Sequence, residues 1–208
     1  YSDGAGPIGN ITVSGPTSRK YTFTVIGQAA HAAVAPEEGI NAIQAAALGI
    51  TKCPCGKIDP EVVSGIGVIQ GGIATNIVPD KVEVKAMIRS RNDAKLEEFS
   101  AQMEKAFLDG CEAFGAELKI EKADSYYGYI LDENSIPWQK TKKAAEVLGF
   151  DFKTHDSLGG TDCNSFNRAG ISTCAVSTGM ANEHMKTEFI LIQDLTDAAR
   201  HIITAITI

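Results

Sequence analysis

Between residues 19 and 27 the chain alternates, with Tyr21, Phe23 and Val25 on one side and Thr22 and Thr24 on the other, the period of a half-buried strand. A stretch of small residues around His31 follows. Pro36-Glu37-Glu38 then places a proline and two acids where a helix begins, and Ile40, Ile43 and Ala47 recur at helical spacing. The pattern predicts a helix from there to about Lys52, stopped by Pro54 and Gly56. Residues 62 to 70 and 81 to 89 read as strands, the second setting Val82, Val84, Ala86 and Ile88 against Glu83, Lys85, Met87 and Arg89. Asn92-Asp93 offers a cap for a long helix whose Leu96, Phe99, Met103 and Phe107 form one stripe until Gly115, and Glu117 to Ala123 reads as another strand. This order predicts a split βαβ (ferredoxin-like) unit over residues 18–123, a four-stranded antiparallel sheet with both helices on one face.

The character changes from about residue 134. A helix over Trp138 to Leu148 is closed by Gly149, a short strand is expected near 151–155, and a Gly-rich turn follows, Leu158-Gly159-Gly160-Thr161-Asp162. A short helix (about 163–168), an apolar strand (171–177) and an amphipathic helix carrying Leu195, Ala199, Ile202 and Ile206 complete the chain. Such alternation belongs to an α/β layer. Two strands cannot make a covered parallel sheet, so residues 1–17 and 124–208 are expected to form one incomplete α/β domain into which 18–123 is inserted.

Composition narrows the function classes. Among 208 residues, Lys+Arg 19 against Asp+Glu 26 gives a net charge of −7 with no basic block, which argues against nucleic acid or an anionic membrane surface as partner. No apolar run approaches the ~20 residues of a bilayer span, and no basic-then-apolar leader opens the sequence. Five cysteines are an odd number in a chain of this size, so reduced thiols and a cytoplasmic location are expected.

Five places carry candidate chemistry. Asp3-Gly4 reads by itself as a turn. His31, among alanines after a strand, is either a half-buried satisfied side chain or a donor to a developing oxyanion. Gly71-Gly72 to Asn76 suits a turn, and Arg89 on the returning strand is either a solvated charge or a bidentate clamp for a carboxylate. Gly159-Gly160-Thr161-Asp162 is either a plain helix cap or a seat for an anion at free N–H groups. His184, in the loop after an apolar strand, is the best metal-ligand candidate of the four histidines, while His155 is ambiguous and His201 is expected on the surface of the last helix. Cys53-Pro54-Cys55 lacks zinc-site spacing and reads as a loop.

In this order, the five places resemble the di-zinc aminopeptidase, carboxypeptidase and aminoacylase family, most closely its peptidase T-like (tripeptidase) branch. The resemblance runs through Asp3-Gly4, Gly27-Gln28-Ala29-Ala30-His31-Ala32, Pro36 to Ile43, Gly71-Gly72 to Pro79, Gly159 to Asp162 and His184 to Glu188. It implies a zinc-peptidase catalytic domain with an inserted lid that forms a homodimer, two zinc ions per complete subunit, and a short peptide as substrate. Asp3 and His184 would then be metal ligands, His31 would steady the oxyanion in the partner subunit's site, and Asn76, Arg89, Gly160 and Thr161 would bind substrate. The family's His-x-Asp step and catalytic Glu-Glu pair precede the Asp-Gly step with which this sequence opens. The expectation is therefore a C-terminal part of a longer enzyme, inactive and without zinc on its own. An N-acyl amino acid amidohydrolase of the same family, or a non-catalytic dimerisation module, remains the alternative.

Overall fold

The computed structural model describes residues 1–4 and 6–208. In chain order its elements are β1 (Ser2–Gly4), β2 (Ile11–Gly15), β3 (Thr17–Ile26), a 3-10 turn (Pro36–Glu38), α1 (Ala42–Lys52), β4 (Gly56–Asp59), β5 (Val62–Gly71), β6 (Lys81–Ser90), α2 (Asp93–Phe114), β7 (Glu117–Tyr126), β8 (Tyr129–Ile130), α3 (Ile136–Leu148), β9 (Thr154–Asp156), α4 (Asp162–Arg168), β10 (Ala175–Ser177) and α5 (Ile192–Thr207). They form two compact units, Thr17–Ser125 and the combination of Tyr1–Pro16 with Tyr126–Ile208.

In the unit Thr17–Ser125 the sheet order is β4-β5-β6-β3-β7. β3 and β5 both run antiparallel to β6 along almost their whole length. The alternation read from Tyr21 to Val25 is real: Tyr21, Phe23 and Val25 are buried with Val82, Val84 and Ile88 of β6 beneath the two helices. Phe23 stacks on Phe107 of α2 at 4.0 Å between ring centroids and on Tyr21 at 5.1 Å, and complete burial of each such ring contributes about 2 kcal/mol. The helices meet at glycines. A Cβ on Gly110 would lie 2.6 Å from the Ala45 carbonyl oxygen, and one on Gly49 would lie 3.0 Å from Phe107 Cα, so α1 and α2 approach to backbone contact.

Two expectations change here. The helix after His31 starts at Ala42, not Pro36. Pro36-Glu37-Glu38 makes a single 3-10 turn, and Asn41 caps α1 by accepting the Gln44 N–H at 3.1 Å. The sheet also has a fifth strand, β4, which folds back on Val62–Ser64. Gly56, whose φ of 89° suits a residue without Cβ, turns the chain into it.

In the other unit, β10 lies between β1 and β2; it is parallel to β1 and antiparallel to β2. β2 also pairs with β9 in parallel and with β8 antiparallel. Ile11, Val13, Leu131, Cys174 and Val176 form the buried cluster, with Trp138, Phe152 and Ile202 against it. Asp3-Gly4 is not a turn but the end of β1. Gly4 is a glycine because a Cβ there would meet the Val176 carbonyl carbon and Ser177 N at 2.8 Å.

The apolar run 171–177 yields only the short β10, because the chain before it is held by a side chain rather than a ladder. Asn167 Nδ2 donates to Thr173 O at 2.7 Å and Asn167 Oδ1 accepts from Thr173 N at 3.2 Å. His201 is not a surface residue. It is fully buried in α5, its Nε2 lies 2.8 Å from Thr141 O of α3, and its ring meets Phe150 edge-on. All five cysteines are free thiols.

Candidate active site

The parallel pairing of β1 with β10 decides what the unit formed by residues 1–16 and 126–208 can do. Gly4 is registered opposite Ser177, and Thr178 N donates to Gly4 O at 3.0 Å. Asp3 and the loop that carries His184 therefore leave the same, C-terminal edge of two neighbouring strands, the place where α/β sheets collect ligands. Both side chains belong to exposed residues. The His184 loop is internally braced. Ala181 and Phe189 exchange backbone hydrogen bonds, and the His184 N–H donates to Glu188 Oε2 at 2.8 Å. His184 itself sits at φ 64°, a left-handed conformation that costs a residue with a Cβ about 1 kcal/mol or more.

The Gly-rich turn belongs to the same unit. Thr161 caps α4 in a capping box with Asn164, and Gly160 lies against the Tyr126 ring so tightly that a Cβ would collide with it. Ser157 anchors the turn's start by accepting the Gly159 N–H at 2.9 Å. Hydrogen bonding toward Asp162 at the turn's far end, with burial and the nearby charges of Asp162 and Asp3, pushes the Tyr1 phenol pKa up to about 12. Tyr1, Asp3 and Asp162 are thus within electrostatic reach of one another. His155, adjacent to the turn, is spent on structure. Its Nε2 lies 2.7 Å from Thr12 Oγ1, and burial lowers its pKa.

The unit Thr17–Ser125 brings together two of its three candidates. His31 forms an antiparallel bridge with Ile77, Ala32 N donates to Asn76 O at 3.0 Å, and Val78 N donates to Ala30 O at 2.9 Å. The two loops therefore present His31 and Asn76 side by side, both exposed. His31 Nδ1 accepts the Ala33 N–H at 3.2 Å, which leaves Nε2–H as the outward donor. Arg89 is elsewhere. The Asn76 loop enters β6 at Lys81, and from Lys81 to Arg89 the strand runs roughly 27 Å at its usual rise. Arg89 is registered against Ser18 and Val63. Within one chain Asn76 and Arg89 cannot grip the same carboxylate.

Among the described residues, no group of three or more His, Cys, Asp or Glu side chains is gathered as a metal site.

A protein-family profile described as a peptidase dimerisation domain matches residues 17–113. Peptidase T of an Exiguobacterium species is 26% identical over 208 residues. The solved structure of an aminopeptidase PepT from Bacillus cereus superposes with a TM-score of 0.87 at 35% identity, covering 99% of this chain and 55% of that one. That of a tripeptidase from Staphylococcus aureus gives 0.90 at 29%, covering 98% and 54%. Residues 17–113 thus resemble a peptidase dimerisation domain, and the chain is similar along its length to peptidase T-like members of the M20 peptidases. A further relative, the uncharacterized protein YqjE of Bacillus subtilis, is 35% identical over 98% of this chain and 55% of its own length. The chain spans about half the length of the relatives it matches.

The contacts around the Gly-rich turn that motif spacing alone did not reveal are Tyr126 against Gly160 and the buried carboxamide of Asn164. Only the last carries a sequence signal, the Thr161-x-x-Asn164 spacing of a capping box.

Proposed function

We propose that this chain provides the lid and part of the catalytic domain of a zinc-dependent metallopeptidase that removes the N-terminal residue from short peptides. The observation that carries this reading is the near-complete superposition on a PepT aminopeptidase and a tripeptidase. The local geometry agrees with it: a carboxylate and an imidazole on one edge of two parallel strands are the donor types zinc takes. In this reading Asp3 and His184 hold metal together with ligands from the part of the relatives' length not spanned here. A bound zinc lowers the pKa of its water and polarises the scissile carbonyl. Residues 17–125 form the lid, and His31 and Asn76 act as a pair on the oxyanion in the second subunit's site, with Nε2–H of His31 as the donor. Arg89 clamps the substrate carboxylate apart from that pair, and the Gly160–Thr161 turn binds substrate.

The dimer forms along β5. β4 covers only Val62–Ser64, and among the described residues no strand lies outside the stretch from Gly65 to Gly71, where Val68 and Ile69 are exposed. A second copy pairing there extends the sheet across a two-fold axis.

The full-length cytoplasmic protein is expected to hydrolyse tripeptides, to lose that activity on chelation and to regain it with zinc, while residues 1–208 alone show none. Hydrolysis that survives complete metal removal overturns the reading, and preferential cleavage of N-acyl amino acids redirects it to an amidohydrolase.

A further inference from the structure

Asn164 is 1% exposed, and its carboxamide joins three separate segments of one unit. Nδ2 donates to Pro16 O at 3.0 Å and to Tyr127 O at 2.8 Å. Oδ1 accepts the Thr161 N–H at 3.0 Å. Both amide hydrogens are therefore used, and the oxygen is committed to the Gly-rich turn. The segments are not arbitrary. Pro16 ends the first stretch of this unit and Tyr126–Tyr127 begins the second, so the two carbonyls mark where the chain departs toward residues 17–125 and where it comes back. The surroundings are cut to fit: a Cβ on Gly15 would lie 3.0 Å from both carboxamide heteroatoms. One turn further along α4, Arg168 lies over the Tyr127 ring at 4.2 Å.

We infer that Asn164 is the positioning residue of the substrate-binding turn, fixing the N–H groups and side chain of Gly160–Thr161 against the two points, Pro16 and Tyr127, where the chain leaves and re-enters this unit. This rests on the proposal that the turn binds substrate. Helix α4 is short, and a capping box alone fixes only its own first turn. Fixing where that turn points requires bonds to something outside the helix, and Pro16 O and Tyr127 O supply them. Asn164→Asp is the discriminating change. It keeps the oxygen that receives Thr161 N–H and replaces both donors with an acceptor facing two carbonyls. The turn then keeps its cap and loses its reference.

The test is steady-state kinetics of the full-length enzyme on a tripeptide, assayed well below each variant's melting midpoint. Wild type, Asn164→Asp and the milder Asn164→Ser, which retains a single short donor, are compared. A misplaced substrate seat removes binding shared by ground and transition states, so KM is expected to rise about tenfold for Asn164→Asp, with kcat within about twofold and Asn164→Ser in between. Lower melting midpoints with unchanged KM in the variants that fold show a purely structural asparagine and overturn the inference, as does a loss confined to kcat. Absence of hydrolysis by wild type overturns the functional proposal instead.

Discussion

The strictest local demands fall on glycine. Gly27 ends β3 where the backbone passes the carbonyl of Ile40, and a Cβ would be driven into that oxygen. Its own N–H donates to Asp80 O at 2.8 Å, so the backbone cannot swing aside without giving up a bond. Gly27→Ala is expected to cost about 3 kcal/mol, read from urea unfolding. Gly65→Ala, where an added Cβ meets nothing within 4 Å, should stay within about 0.5 kcal/mol. Equal effects at the two sites would show that strand propensity, not the Ile40 contact, sets the cost. A sequence shows glycines without saying which have a neighbour in the missing space. Gly4, Gly27 and Gly110 are therefore invisible as close approaches, whereas Gly115 and Gly149, both at positive φ after a helical stripe, are legible as caps.

At the scale of elements, Arg19 ties β3 to both of its neighbours on that edge. Its Nε donates to Asp124 of β7 at 2.7 Å, and its two terminal nitrogens reach Glu97 of α2 at 2.9 and 2.8 Å. The guanidinium holds the Glu97 carboxyl below the usual carboxylate range, first through those hydrogen bonds and then through its charge. A carboxyl with a depressed folded pKa contributes stability that is full above its unfolded pKa and disappears as pH falls through the folded value. Wild type is therefore expected to lose this contribution below about pH 4.5, while Arg19→Met costs about 2 kcal/mol at pH 7 and loses less on further acidification. Parallel pH profiles for the two proteins would remove the ion pair from the account.

β3, β6 and α2 were readable because each buries one face at a regular period, as in Tyr21-Phe23-Val25, whereas in α1 the apolar positions Ile43 and Ala47 are exposed and the buried face is Ala42, Ala45, Ala46 and Gly49. β4 was not readable, because Gly56-Lys57-Ile58-Asp59 has too few apolar positions to show a period. Its pairing comes from the tight return at Pro60-Glu61. The burial of His201 was hidden for a related reason, since α3 supplies its partner carbonyl from sixty positions away. Of the candidate site, the order of motifs showed which residues to examine. The strand register places His31 beside Asn76 and Arg89 at the far end of β6.

For the whole molecule, the proposed dimer rests on the exposed flank of β5. Replacing Val68 and Ile69 together by Lys places charge on that flank, as natural edge strands do. The double variant is expected to sediment as a monomer of unchanged fold where wild type sediments as a dimer. A variant that remains dimeric moves the interface elsewhere, to the helices or to the other unit.

Until that flank is occupied, its unpaired N–H and C=O groups are a template for any extended polypeptide, not only for a sister copy. A chain still leaving the ribosome, an unfolded neighbour or a flexible expression tag rich in β-branched residues can dock there first. The Gly67 bulge between Ile66 and Val68 kinks the strand and narrows what fits. Correct assembly thus becomes a competition settled by protein concentration, and dilute or overcrowded preparations should differ in how much of the material is poised to work.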